Sequence, residues 1–351
     1  MAQKPTKPNY KSRVKILKFL QGAEKRSRVD ISNKMKFTKA AVTLIINDML
    51  NENILYEDGT ECLDQTVGRG RRKVALSINY NYKFAFGVSI ENEKLFVGLS
   101  NISGEILDKK LTSIVKKTYI ELLEIIVSSI ETLIKNNCIS EEKVLGIGLT
   151  ISKDATNIIV GENIMQKLTR IKRDLSHAID MKITTQSTIS ASLIAQKLFV
   201  QTPIINTLII RYGEIISSSF LANGKLYSPS KSNAGGFFDM QQDQTGQTTL
   251  NSFELFNKNI VEDINHSQDI SSALNQKLAS DIKTCYTVLK PDYIIAFGTF
   301  FDEELALERL NFAVKPTGCP AVSLSIVQES TVFLAGCAIA INDFFYSLGG
   351  Y

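Results

Sequence analysis

An α/β body behind a small, basic, mostly helical head is the architecture this sequence predicts, and three observations carry it. Residues 10–51 show apolar residues at helical spacing in three short runs. From Tyr82 onward the pattern changes to strands alternating with helices, as in layered α/β folds. The charge divides at the same place. Residues 1–78 hold 16 Lys/Arg against 8 Asp/Glu, a surplus of +8, whereas the rest hold 24 against 28, or −4. A basic module on a mildly acidic body is the electrostatic footprint of a nucleic-acid reader with a separate sensing or assembly domain.

The head reads in order. Asn9 or Tyr10 starts a first helix through Leu20, with Val14, Ile16, Leu17, Phe19 and Leu20 as its apolar stripe, and Gly22 ends it. Ser27 is the N-cap candidate of a second helix, Arg28 to Met35, with Val29 and Ile31 as core residues. After a break at Lys36-Phe37, Thr38 caps a third helix to about Asn51, with Ala41, Val42, Ile45, Ile46, Met49 and Leu50 facing inward. Two short helices with a tight break make a helix-turn-helix, whose second member lies in the DNA major groove. Its N-terminal residues touch DNA, which here means Thr38, Lys39, Ala40 and Thr43. Thr and Lys contact phosphates or bases, and Ala40 suits a thymine methyl. Arg28, at the start of the second helix, joins this set.

Ile54 to Glu57 and Lys73 to Ile78 then alternate like two strands. Between them lies Val67-Gly68-Arg69-Gly70-Arg71-Arg72-Lys73, four cations and two glycines in seven residues. Glycine lets the backbone press close to a surface, and arginines enter a narrow, negatively charged groove. Helices followed by a hairpin with such a tip make a winged helix-turn-helix, with Arg69, Arg71, Arg72 and Lys73 on DNA; a basic solvated linker is the alternative.

In the body, Phe84 to Ile90 and Leu95 to Leu99 read as two strands, and Ile102 to Leu107 as a turn into a third. A helix covers about Tyr119 to Asn136, Val144 to Thr150 is a buried strand, and Ala191 to Leu198 is helical. Thr207 to Tyr212 opens a second set of strands, Tyr293 to Gly298 is another, and Thr331 to Phe345 is an apolar helix. No run of 18 apolar residues is present, so no membrane helix is expected. The N-terminus lacks an apolar signal core, which points to the cytoplasm. Cysteines 62, 138, 285, 319 and 337 are scattered and odd in number, fitting buried reduced thiols rather than a disulfide framework.

The order of winged helix, Gly-Arg-rich wing and α/β body resembles the ROK family (repressor, open reading frame, kinase) over nearly the whole chain. Asn9 to Ile78 resembles the DNA-binding part of its repressor branch. Gly87 to Leu107 resembles its first β-hairpin, Asn223 to Tyr227 with Ala234-Gly235 the approach to its sugar and zinc motifs, and Thr331 to Asn342 its closing helix. The resemblance implies an actin/hexokinase-like fold, two lobes around a cleft, in a homodimer or higher homo-oligomer. The division that follows is 1–80 for the winged helix-turn-helix, 81–200 for the first lobe, completed by the C-terminal helix 329–347, and 201–328 for the second lobe.

The family's chemistry is missing from the matching positions. Phosphoryl transfer needs a base, a phosphate cradle and a cation. Where ROK kinases carry Asp and then Gly-Gly-Thr, this chain has Ser89, Glu91 and Asn92. The Asn-Asp-Ala motif of the catalytic base is matched by Gln186-Ser187-Thr188, and serine cannot serve as a carboxylate base unaided. The second phosphate loop corresponds to Gly213-Glu214-Ile215-Ile216-Ser217, and the sugar-binding Glu and His motif reads Ala234 to Asp239. The segment matching the zinc loop, Gln241 to Gln247, has neither Cys nor His, so no metal is expected. His177 and His266 are expected on the surface or in helices.

Three functions are weighed. The first is a DNA-binding transcriptional regulator, a repressor in character and not an enzyme, with no cofactor. It would bind a double-stranded operator through a body that no longer catalyses. The resemblance implies carbohydrate-related genes and a sugar or sugar-phosphate effector held by Gln186, Ser187, Gly236 and Asp239; a different small molecule, or none, stays open. The second is an ATP-dependent sugar kinase with an appended DNA-binding domain. The third is a scaffold that binds a protein through the segment from Glu254 to Asp269.

Overall fold

The computed structural model describes residues 10–22, 26–61, 74–155, 158–200, 204–212, 217–227, 269–302, 305–348 and 350. The head comprises α1 (Tyr10–Leu20), β1 (Arg26–Ser27), α2 (Arg28–Met35), α3 (Lys39–Asn51), β2 (Leu55–Glu61) and β3 (Val74–Ile78). Ser27 caps α2 in a reciprocal capping box with Asp30, and Thr38 caps α3 by accepting from the Ala41 amide at 3.2 Å. The break between these helices is Lys36, held at φ 55°. That left-handed residue stops α2 and turns the chain into α3.

The hairpin is a three-stranded sheet in the order β1-β3-β2, with β1 an addition that the sequence pattern did not announce. Two residues of strand are too short to show periodicity. The register slips between Asp58, paired with Ala75, and Glu61, paired with Val74, so β2 carries a bulge near the base of the wing.

The body holds two five-stranded sheets of the same plan. The first contains β4 (Phe84–Glu91), β5 (Lys94–Asn101), β6 (Ile106–Ser113), β7 (Val144–Ile151) and β8 (Ile183–Ser187), in the order β6-β5-β4-β7-β8. The second contains β9 (Thr207–Arg211), β10 (Ser217–Ala222), β11 (Lys225–Leu226), β12 (Tyr293–Phe297) and β13 (Val322–Leu324), in the order β11-β10-β9-β12-β13. Each is an antiparallel meander of three strands flanked by two parallel ones. Helices α4 (Tyr119–Asn136) and α5 (Ile164–Ala178) cover one face of the first sheet, where Leu122, Ile126, Leu168 and Ile171 meet Phe86, Val88, Ile147 and Leu149. Helices α7 (Asp269–Leu289) and α8 (Ala306–Val314) cover the second in the same way. Helix α6 (Thr188–Phe199) lies between the lobes: Ala191 and Ala195 belong to the core beneath the first sheet, Ile189 and Leu193 to that of the second.

The last helix, α9 (Phe333–Ile341), crosses the inner face of the first sheet with no room to spare. A Cβ on Gly87 of β4 would collide with the Phe333 carbonyl oxygen, and one on Gly148 of β7 with the Gly336 carbonyl. On the helix side, a Cβ on Gly336 would strike the Gly148 carbonyl. Helix α9 then runs into a π-helical turn, Asn342–Tyr346, whose Phe345 and Tyr346 share one core with Ile16, Leu17, Ile46, Met49 and Ile54 of the head. Head and body are therefore joined through the C-terminus.

Several expectations need correction. Val29 is 37% exposed and lies outside the head core, because α2 is short and buries a narrow stripe around Ile31. The turn into a third strand read at Ile102 to Leu107 stands as expected, with the strand starting at Ile106. Helices α5 and α8 and strands β8, β10 and β13 add elements that the sequence reading did not place. Cys285 and Cys337 are buried with thiols pushed up to about 12 by burial, but Cys138 is exposed; Cys62 lies outside the described residues.

The α9 contact makes a direct prediction. Gly148→Ala is expected to destabilise the chain by about 1–3 kcal/mol or more, since backbone atoms on both sides must move apart. Gly59→Ala, which meets nothing within 4 Å, should change stability by only a few tenths of a kcal/mol. Chemical denaturation of the two variants side by side checks this.

Candidate nucleic-acid interface and interlobe cleft

Helix α3 has a clean two-sided character. Val42, Ile45, Ile46 and Met49 are buried, while Lys39, Ala40, Thr43, Leu44 and Asn47 are exposed along the opposite side. The exposed side starts with an uncharged cap, so the helix N-terminus keeps its partial positive charge for an anion. Thr43 donates its hydroxyl to the Lys39 carbonyl at 2.9 Å, which fixes its rotamer and turns its methyl and oxygen to a set position. Leu44 was missed by the sequence reading, yet it is 67% exposed in the middle of this face. A leucine one step off the buried stripe was the available signal.

Arg28 is placed differently from Lys39. Its Nη1 pairs with Glu57 Oε1 of β2 at 2.7 Å and its Nη2 donates to Asn47 Oδ1 of α3 at 3.3 Å. The guanidinium thus ties the helix face to the wing strand. On the inner side, Arg13 is 1% exposed and donates from Nη1 to Glu52 Oε1 at 2.9 Å, locking α1 to the end of α3. Arg69, Arg71, Arg72 and Lys73 lie outside the described residues, as do Gly236, Asp239 and His266. His177 is exposed in the last turn of α5.

The cleft between the lobes is the second place where functional groups converge. Ligands of open α/β sheets bind beyond the carboxyl ends of the strands. Here those ends are joined by a buried ion cluster. Arg211, the last residue of β9, is 6% exposed. Its Nη1 stands 2.8 Å from Glu91 Oε2 at the end of β4 and 3.5 Å from Asp154 Oδ2 just past β7. Its Nε and Nη2 donate to the two oxygens of Glu329, ahead of α9, at 2.8 and 3.0 Å. The Glu91 contact is a charge contact off the hydrogen-bond angle, since Oε2 has no hydrogen-bond donor, whereas Oε1 accepts from Ser89 and, at 2.9 Å, from Thr188. Thr150 donates to Ser89 at 2.8 Å, and Ser152 donates to Asp154.

Glu91 and its hydrogen-bond partners Ser89 and Thr188 stand at positions whose motifs the sequence shows altered. Glu91 is not a side chain merely standing in the way of phosphate. It is drawn inward to hold the opposite lobe. Glu91 and Asp154 stand where a polyphosphate would approach, and Arg211 is already engaged by them and by Glu329. Arg211 itself was not singled out beforehand, although a buried Arg at the end of an apolar strand requires carboxylate partners. Ser187 is buried at the start of α6, and Gln186 accepts from the Ser187 amide at 3.0 Å. The space left beside Ser152, Ser187, Thr188 and Arg211 is about 10 Å³, the room of a single water. Among the described residues no group of three or more His, Cys, Asp or Glu is arranged to hold a metal.

Burial holds the Glu91 carboxyl above the usual carboxylate range; the Arg211 charge pulls against this, and Asp154 adds to the rise. For Arg211, burial works against its charge, but Glu91 first and then Glu329 and Asp154 outweigh it and raise its pKa.

A winged helix-turn-helix head on an actin/hexokinase-like, two-lobed α/β body is the class this architecture defines. No protein-family model matches the chain. Over 242 residues it is 21% identical to the xylose repressor of Caldicellulosiruptor bescii, which covers 67% of this chain and 58% of that protein. The chain thus spans less than two thirds of that relative's length. A solved structure described as a ROK family transcriptional regulator, homologous to the E. coli MLC protein, superposes with a TM-score of 0.71 over 96% of this chain and 97% of its own, at 14% identity. A ROK family glucokinase from Streptomyces griseus superposes with a TM-score of 0.57 over 74% of this chain and 99% of its own, at 12% identity. The chain is thus similar in sequence to a xylose repressor at 21% identity and in fold to a ROK family regulator at 14%.

The ion cluster carries a prediction with a pH sign. Arg211→Met leaves three carboxylates facing one another in a closed site and is expected to cost roughly 3–5 kcal/mol at neutral pH. A carboxyl whose folded pKa is raised gives stability that is full below its unfolded value, about 4.3, and lost as pH rises through the folded value. Removing Arg211 raises Glu91 further. The deficit of the variant should therefore be small near pH 4 and grow as pH rises, which denaturation curves at several pH values will show.

Proposed function

We propose that this chain is a sugar-responsive transcriptional repressor whose body has given up phosphoryl transfer. The single observation that carries the reading is the pairing of two things in one molecule. The head keeps an exposed α3 face of Lys39, Ala40, Thr43, Leu44 and Asn47, and the cleft where a kinase would hold nucleotide is bridged by Arg211. The working division is a head over 1–80, a first lobe over 81–200 with 329–347, and a second lobe over 201–328.

Function follows from this division of labour. Helix α3 lies in the major groove, with Thr38, Lys39, Ala40 and Thr43 toward base edges and phosphates, and the basic run at 69–73 tracks the backbone or minor groove beside it. Arg28 acts here as a brace between helix and wing, with any phosphate contact secondary. The operator has two half-sites because the protein is a homo-oligomer. The similarity to a xylose repressor makes xylose the first effector to test, with Gln186, Ser187, Gly236 and Asp239 as the residues toward the sugar.

Electrophoretic mobility shift with promoter fragments from its own locus tests DNA binding. A shift that weakens steeply with salt is expected, and no shift at low salt sinks the reading. Replacing Arg69, Arg71 and Arg72 together with alanine should flatten the slope of log K against log salt by about 3. Lys39→Ala should weaken all fragments alike and flatten that slope by about 1. A coupled phosphorylation assay with ATP across hexoses and pentoses is expected to be blank, and turnover lost on changing Ser187 would restore the kinase alternative.

A further inference from the structure

A second concavity lies far from the cleft, at the joint between head and body. It has a volume of about 520 Å³, within the range of small-molecule sites. Every part of the molecule contributes to its wall. Gln21 and Gly22 come from the end of α1, Tyr80 from the link into the body, Ile102 from the first lobe, Lys197 to Val200 from the end of α6, Ile204 and Ile205 from the approach to β9, and Tyr346 from the C-terminal π turn.

The chemistry of the wall is graded. Its floor is apolar: Ile102, Ile204 and Tyr346 are 1%, 7% and 2% exposed. Burial, with Tyr80 adding to it, raises the Tyr346 pKa, so the phenol stays a neutral donor. At the rim stands Lys197, whose ammonium donates to the Gly224 carbonyl, with Lys18 of α1 close enough to repel it. Two neighbouring cations beside an apolar floor complement one kind of occupant.

We propose that this joint is a binding site for a small amphipathic anion, an apolar or aromatic body carrying one acidic group. The body fills the space between Tyr80, Phe199 and Ile205, and the acid faces Lys197, with the charge of Lys18 adding from α1. Its placement couples it to the head. Gln21 donates to the Leu198 carbonyl at 2.6 Å, a direct hydrogen bond from head to body that crosses this same wall. An occupant stiffens or shifts that contact, whatever the head then binds.

The test uses the full chain and anilinonaphthalene sulfonate, an aromatic anion whose fluorescence rises when it is buried. Wild type is expected to bind one equivalent saturably. Ile205→Trp, which blocks the mouth from a half-exposed position, should abolish that binding, and Lys197→Glu should weaken it about tenfold. Ser103→Trp on the exposed rim is an independent block should Ile205→Trp fail to fold by circular dichroism. Hydrogen exchange in residues 17–20 should slow with the probe in wild type but not in Lys197→Glu. Saturable binding that is unchanged in the blocked variants and in Lys197→Glu, or no saturable binding by wild type, overturns the site. No DNA enters the assay, so its failure leaves the reading of the head untouched, and a failed mobility shift leaves this site untouched.

Discussion

Helix α9 can lie where it does only because Gly87, Gly148 and Gly336 have no side chains. That contact sets the rest of the molecule. It presses α9 onto the central strands of the first sheet, with α6 alongside, and so fixes the residues at both ends of the helix. Ahead of it, Glu329 reaches Arg211 and helps close the cleft. Beyond it, Phe345 and Tyr346 enter the core of the head. One helix thus anchors the lobe-to-lobe contact at one end and the body-to-head contact at the other. A close backbone approach of this kind is gained by dispersion and excludes water, and it has no tolerance for an added methyl.

The ion cluster is the counterpart of that packing. Burying one arginine and three carboxylates is costly unless each is paired. The pairs here come from four separate segments, so the cluster forms only when both lobes and the start of α9 are already in place. The same logic governs Arg13 and Glu52 within the head, where a buried cation forces α1 and the end of α3 into one relation.

Much of this was legible in the sequence, for identifiable reasons. The head helices were readable because Ser27 and Thr38 are capping residues directly ahead of apolar stripes. The strands around Phe86, Leu149, Ile209 and Ile295 were readable because fully buried strands are continuous apolar runs. Helix α5 escaped notice because its polar residues outnumber its apolar ones and only Leu168, Ile171 and Leu175 mark the buried side. Strand β10 begins with three serines, which as a sequence resemble a loop, yet pairing with β9 and cover from α6 bury them. The altered phosphate motifs were visible as substitutions, but their new purpose was not. Nothing local ties Glu91 to Arg211, since their partnership is made by the closure of two lobes 120 residues apart in sequence. The junction cavity was invisible for the same reason, being walled by six segments that meet only in the folded chain.

The bulge at the root of the wing has a mechanical meaning. Between Asp58 and Glu61 the β2 strand gains length over β3, and such an insertion adds local twist. The relation of β2 to β3 at this point is therefore set by the four residues 58–61 on the acidic strand. Arg28, bonded to Glu57 just before the bulge and to Asn47 on α3, fixes the exposed helix face and this strand in one relation, so the twist at the bulge is referred to the helix as well.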